Sequence, residues 1–153
     1  MVAPAIVMGL RGAQVVFSII VLGLSAYLVD AYVAWTPASV AFMLFTSIWT
    51  LLVVAYLVLA PMRFPAAAHK YAIIGVEFIT MVFWFAAFVS VATRWGGYWW
   101  VGRHSTFHNC GVAAIVFGAF AWLTFVATTV LAALHIRSSP KSDTTASPSM
   151  AMA

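Results

Sequence analysis

Between Lys70 and Arg94 the chain is apolar except for one carboxylate, Glu77, and a few hydroxyls. The run is long enough to cross a bilayer, whose hydrocarbon core takes about 20 residues of helix. With no water to satisfy backbone N–H and C=O groups there, a run of this length reads as a helix that bonds to itself. A charge at that depth costs several kcal/mol, so it normally faces protein and has a partner. The run therefore predicts both a membrane span and a second group for Glu77 to meet.

Composition extends that reading to the whole chain. Of 153 residues, 65% are hydrophobic and 7% charged, whereas a soluble domain is nearer half apolar and a quarter charged. Too few charges are present to cover a soluble surface. Seven Lys/Arg stand against three Asp/Glu. The basic residues lie singly at the ends of apolar runs, where they set orientation and meet anionic headgroups. No clustered basic patch points to nucleic acid. The single cysteine, Cys110, excludes an intramolecular disulfide and any CxxC redox or zinc motif.

Read in order, residues 1–8 form a short cytoplasmic segment without the basic leader of a signal peptide. Four spans follow at about 9–31, 38–60, 68–93 and 110–135. Pro37 suits the start of the second helix and Trp35 an interface. Pro61 and Pro65 mark the next connection. A Trp- and Gly-rich stretch from Arg94 to Asn109 reads as a loop along the headgroups. Residues 137–153 read as a disordered cytoplasmic tail, since Ser138 to Ala153 has seven Ser/Thr and little to bury. Its Ser139-Pro140 and Ser147-Pro148 pairs are candidate phosphorylation sites. The expected fold is an all-α membrane protein, a four-transmembrane up-down-up-down bundle. With both termini cytoplasmic, five Lys/Arg lie inside and two outside, which favours that orientation.

The polar groups suggest how the helices meet. Arg11, Gln14, Ser18 and Ser25 fall on one narrow face at 100° per residue, and in lipid such a face should turn toward other helices. At 1.5 Å per residue, Glu77 lies about 10 Å past Lys70, while Gln14 and Ser18 lie about 5–10 Å past Arg11. These depths predict an intramembrane polar cluster of Glu77, Arg11, Gln14 and Ser18, with Arg11 as the charge partner reaching in on its long stem. Helix 2 places Ser39, Thr46 and Thr50 on one face. Helix 4 places Gly111, Ala114, Gly118, Ala121 and Thr129 near another. Ala114 and Gly118 have the small-xxx-small spacing of closely packed helices, here read as packing within the bundle ahead of dimerisation.

Chemistry finds few carriers. His104, His108 and Cys110 could hold zinc or copper if helical, but the two histidines fall in the predicted loop and no fourth ligand is obvious. His69 and His135 lie at helix ends, not facing each other within the membrane as b-type haem requires. Asp30 and Glu77 belong to opposite ends of the bundle. No catalytic residue, cofactor-binding residue or metal ligand is assigned, and no cofactor is expected. Phe83, Trp84, Phe85 and Phe88 read as lipid contacts and packing.

The stretch from Arg11 through Gln14 to Tyr27 resembles the first helix of fungal MARVEL-domain proteins, also called membrane-associating domain proteins. Glu77-Phe-Ile-Thr-Met-Val-Phe-Trp-Phe-Ala-Ala87 is similar to that family's third helix, and Cys110 to Trp122 to the start of its fourth. The resemblance covers about residues 9–136. It implies a non-enzymatic tetraspan of the plasma membrane or secretory-pathway vesicles, linked to membrane apposition, microdomain organisation and trafficking. Small fungal tetraspans of this kind include non-classical-export and eisosome-associated proteins. Partners would be membrane lipids and other membrane proteins or further copies of the chain. The outer loop lacks the paired cysteines of some relatives, so the resemblance carries no disulfide here. The alternative weighed against membrane organisation is a small transporter or proton-coupled channel using Glu77 with Arg11.

Overall fold

The computed structural model describes residues 4–32, 34–63, 70–96 and 105–138. They form four helices: α1 Pro4–Ala31, α2 Ala38–Arg63, α3 Lys70–Trp95 and α4 Thr106–Ser138. All four are long and apolar enough to cross a membrane. Helix α1 packs on α2 and α4, and α3 packs on α2 and α4. The helices thus form a ring in chain order, with α1 and α3 on one diagonal.

Several boundaries differ from the sequence reading. Helix α1 begins at Pro4 and buries Val7 completely, so most of the expected 1–8 segment belongs to the bundle. Proline is at home in a first turn, where its missing N–H would have no partner anyway. Helix α2 continues through Pro61 to Arg63 instead of ending at Ala60; only the final turn loses a backbone bond to that proline. Helix α4 starts at Thr106, four residues before Cys110, because Ser105 caps it. The His108 N–H donates to Ser105 Oγ at 3.2 Å and the Asn109 N–H to the Ser105 carbonyl at 3.1 Å, which satisfies N–H groups that a helix start leaves open. His108 is therefore helical and not in a loop. Helix α3 is described from Lys70, with the expected start at residue 68 outside the described residues, and it runs two residues past Thr93. Residues 64–69, most of the third connection including His104, and the tail beyond Ser138 lie outside the described residues.

On three of the helices the buried positions follow one rule. On α1 they are Val7, Arg11, Gln14, Ser18, Val21, Ser25 and Leu28, spaced alternately four and three apart. On α4 they are Gly111, Ala114, Gly118, Ala121, Phe125, Thr128 and Ala132, again alternating. Ile73, Glu77, Thr80, Trp84, Ala87 and Val91 repeat the pattern on α3. A mean repeat of 3.5 is the seam of left-handed helix packing, in which each inward side chain meets a hole on its neighbour. Because lipid is as apolar as leucine, such packing, together with polar contacts, holds the helices together here.

The α2–α3 seam carries a reciprocal pair of polar contacts. Trp84 Nε1 donates to Thr50 Oγ1 at 2.9 Å, and Trp49 Nε1 donates to Thr80 Oγ1 at 3.1 Å. Each threonine in turn donates to its own helix, Thr50 to the Thr46 carbonyl and Thr80 to the Val76 carbonyl. Trp84 is fully buried, while Phe85 faces outward; the aromatic run of α3 is thus divided between core and lipid by its register. Trp84→Phe keeps most of the volume and removes one donor. It is expected to cost about 0.5–2 kcal/mol, read as a fall in unfolding midpoint in mixed micelles without loss of helical circular dichroism.

Candidate functional site

Glu77 sits about one turn inside Ile73 on the inner face of α3 and is completely buried. Arg11 and Gln14 enter from the same level of α1, and Thr128 from α4. The Arg11 guanidinium forms an ion pair with Glu77 Oε1. Arg11 Nη1 also donates to Gln14 Oε1 at 3.0 Å. Gln14 Nε2 donates to Thr128 Oγ1 at 3.1 Å, and Thr128 Oγ1 donates to Glu77 Oε2 at 2.6 Å. The four side chains close a ring: cation to amide, amide to hydroxyl, hydroxyl to carboxylate, carboxylate back to cation.

Each member suits its place for a chemical reason. Only a long side chain can cross the bundle diagonal from α1 to α3, and arginine does so with its charge at the end of an apolar stem. Glutamine supplies both an acceptor for arginine and donors for α4. A threonine hydroxyl has one proton and two lone pairs, so Thr128 can accept from Gln14 while donating to Glu77. A buried pair repays its desolvation only when its remaining atoms are also bonded, and here both carboxylate oxygens have partners.

The sequence reading placed Ser18 in this cluster. In the structure Ser18 is buried at the next level, but it donates to the carbonyl of Gln14 on its own helix at 2.6 Å. Ser25 does the same with Val21, also at 2.6 Å. A hydroxyl has a single proton to give, and the i−4 carbonyl is the nearest acceptor. Ser18 stands behind the ring instead of in it, and Gln14 is joined to Glu77 through Thr128 on one side and Arg11 on the other.

Thr128 was missed, although a signal for it was present. Gly111, Ala114, Gly118 and Ala121 already alternate three and four apart. Continuing that spacing leads to Phe125 and Thr128, whereas Thr129 falls off the seam, half-buried. Thr128→Val is expected to destabilise the bundle by about 1–2 kcal/mol, since it leaves one carboxylate oxygen without its donor. Thr128→Ser should restore most of that loss in the same unfolding assay.

Buried residues close over the ring on both sides, with the hydroxyls of Ser18 and Thr80 on one of them each given to its own helix. Toward the start of α1, Val7, Leu57, Ile73 and Ala132 are all buried. On the other side stand Val21, Trp84 and Phe125, also buried. Further along, Ala114 and Gly118 face inward as well. A Cβ added at Gly118 would meet Met43 Cε at 3.2 Å and Phe88 Cβ at 3.3 Å, so this position admits the side chains of α2 and α3 because it has none. Among the described residues no group of three His, Cys, Asp or Glu could hold a metal ion.

The fold and its centre define a class: a four-span membrane bundle whose interior is tied together by an ion pair and two uncharged bridges. The chain belongs to the MARVEL family, whose model, described as the membrane-associating domain, matches residues 5–131. That range begins in the first turn of α1 and takes in all four ring residues. The family is a non-catalytic membrane scaffold domain. No curated protein and no solved structure matches the chain.

Proposed function

We propose that this protein organises membrane laterally, gathering lipids and membrane proteins into microdomains or assisting trafficking, with the ring as the element that holds α1, α3 and α4 in register. The observation that carries this reading is the family match across all four spans. The buried ring supports it: an ion pair closed on itself inside the bundle is suited to assembly more than to moving ions through the bundle. We read both termini as cytoplasmic, from the Lys/Arg distribution, and the location as plasma membrane or secretory-pathway vesicles. Within the family, the first, third and fourth helices liken the chain to the small fungal non-classical-export and eisosome-associated members.

Localisation combined with in-cell crosslinking tests the proposal. The tagged protein should concentrate in patches, crosslink to other membrane proteins or to itself, and on deletion leave those patches dispersed. Purified protein in vesicles should pass no protons or small ions. A flux abolished by Glu77→Gln would replace this reading with a transport one, and a uniform distribution with no crosslinked partner would remove its basis.

A further inference from the structure

The buried placement of Arg11 changes how much hydrocarbon α1 can face. In the sequence, the uncharged run from Gly12 to Val29 would span only about 27 Å at 1.5 Å per residue. With Arg11 turned inward, the outer surface of α1 is free of charge from Pro4 to Asp30, a rise of about 39 Å. On α2 the exposed positions are apolar from Ala38 to Met62 and end at exposed Arg63, about 37 Å. On α3 they run from Tyr71 to exposed Arg94 with Thr93 the only other polar one, about 34 Å. The ends carry the marks of an interface. Tyr71 is 67% exposed at one end of α3, and at the other end Trp35, 66% exposed, lies 6.0 Å from the Arg94 guanidinium; aromatic and basic residues favour that level.

We infer that this lipid-facing surface fits a thick bilayer, of the roughly 32–33 Å hydrocarbon found in plasma membrane, in preference to one of about 27 Å as in the endoplasmic reticulum. On α4 the exposed positions are apolar from Val112 to Leu134, about 33 Å, and α3 is the shortest of the other three. At the usual tilt of about 20° it still presents about 32 Å. A thin bilayer would have to stretch around the bundle or force a steeper tilt, and the alternating three-four seam, fixed by the ring, resists the second. The inference rests on the membrane-spanning bundle and stands whatever the protein organises.

The test is relative lipid affinity by chain length. The full chain is reconstituted in phosphatidylcholine vesicles whose hydrocarbon thickness steps through and beyond about 27 and about 33 Å. Quenching of tryptophan by brominated phosphatidylcholine of each length reports affinity. Affinity should peak at the thicker end and exceed that at the thin end by about three- to tenfold, in keeping with fractions of a kcal/mol per Å of mismatch. A flat profile, or a peak at or below the thin value, would overturn the inference. Ser90→Lys moves the outer anchor of α3 inward by about 6 Å and should shift the peak toward shorter chains, with Ser90→Ala leaving it in place. If Ser90→Lys does not fold, the profile of the unaltered protein still decides. A folded Ser90→Lys whose peak does not move would remove the anchor argument.

Discussion

Replacing Glu77 by alanine is expected to destabilise the bundle by about 3–5 kcal/mol, the loss seen when one partner of a buried pair is removed and the other is left charged in a low-dielectric interior. Arg11 is 2% exposed and enclosed by the apolar layer of Val7, Leu57 and Ile73, so its guanidinium cannot turn to water without opening the first turns of α1 and α3. Arg11→Met alone should cost a comparable amount, because Glu77 would keep only its Thr128 donor. The combined Arg11→Met and Glu77→Leu variant should recover most of the loss, since an apolar pair of similar volume often replaces an ion pair without penalty. Steric trapping in bicelles, applied to both singles and the double, measures the coupling directly. Singles that unfold no more easily than the parent would show that the pair does not hold α1 and α3 together. A double variant as unstable as the singles would point to packing in place of charge.

A methyl group at Gly111 should produce the second largest effect. A Cβ there would overlap the indole of Trp95, a side chain stacked on Phe107 at a centroid distance of 5.6 Å and donating from Nε1 to the His108 carbonyl at 3.3 Å. Phe107 is held in turn edge-on by Tyr32, 5.3 Å between centroids. The indole therefore cannot move without disturbing the ends of α1, α3 and α4 together. Overpacking of this kind costs about 1–3 kcal/mol, sometimes more. Gly111→Ala should lower the unfolding midpoint accordingly and increase quenching of tryptophan by an aqueous quencher. In a Trp95→Leu background the same substitution should be nearly neutral, because the overlapping atoms are gone. Equal effects in both backgrounds would mean that Gly111 matters for helix propensity and not for close approach.

Both effects come from features that differed in how far the sequence revealed them. Glu77 and Arg11 stood out because charges are rare at membrane depth and each pushes its helix to bury one face. Depth along two parallel helices then brought them to one level. Gly111 was legible only as one of several small residues on α4; that it faces Trp95 depends on where the end of α3 comes to lie. Thr128 was hidden by a small error of period. At 100° per residue the seam drifts, and over the length of α4 the drift exchanges Thr128 for Thr129. Ser18 was misplaced for a different reason: its face was right, but a serine in a helix has an acceptor in its own backbone before it needs one elsewhere.

The sequence by itself determined that this is a membrane protein, that it has four helices, and that the face of α1 bearing Arg11 and Gln14 turns inward. Those conclusions follow from run length, hydropathy and periodicity, which are properties of each helix taken alone. Tertiary structure decided the rest. Helices α1 and α3 lie on a diagonal, so Arg11 meets Glu77 across the interior. Helix α4 enters between them and supplies Thr128, 51 residues from Glu77 and 114 from Gln14 in the chain. A single helix specifies which of its sides is buried, but the residue that comes to meet it depends on how several helices settle against one another at once.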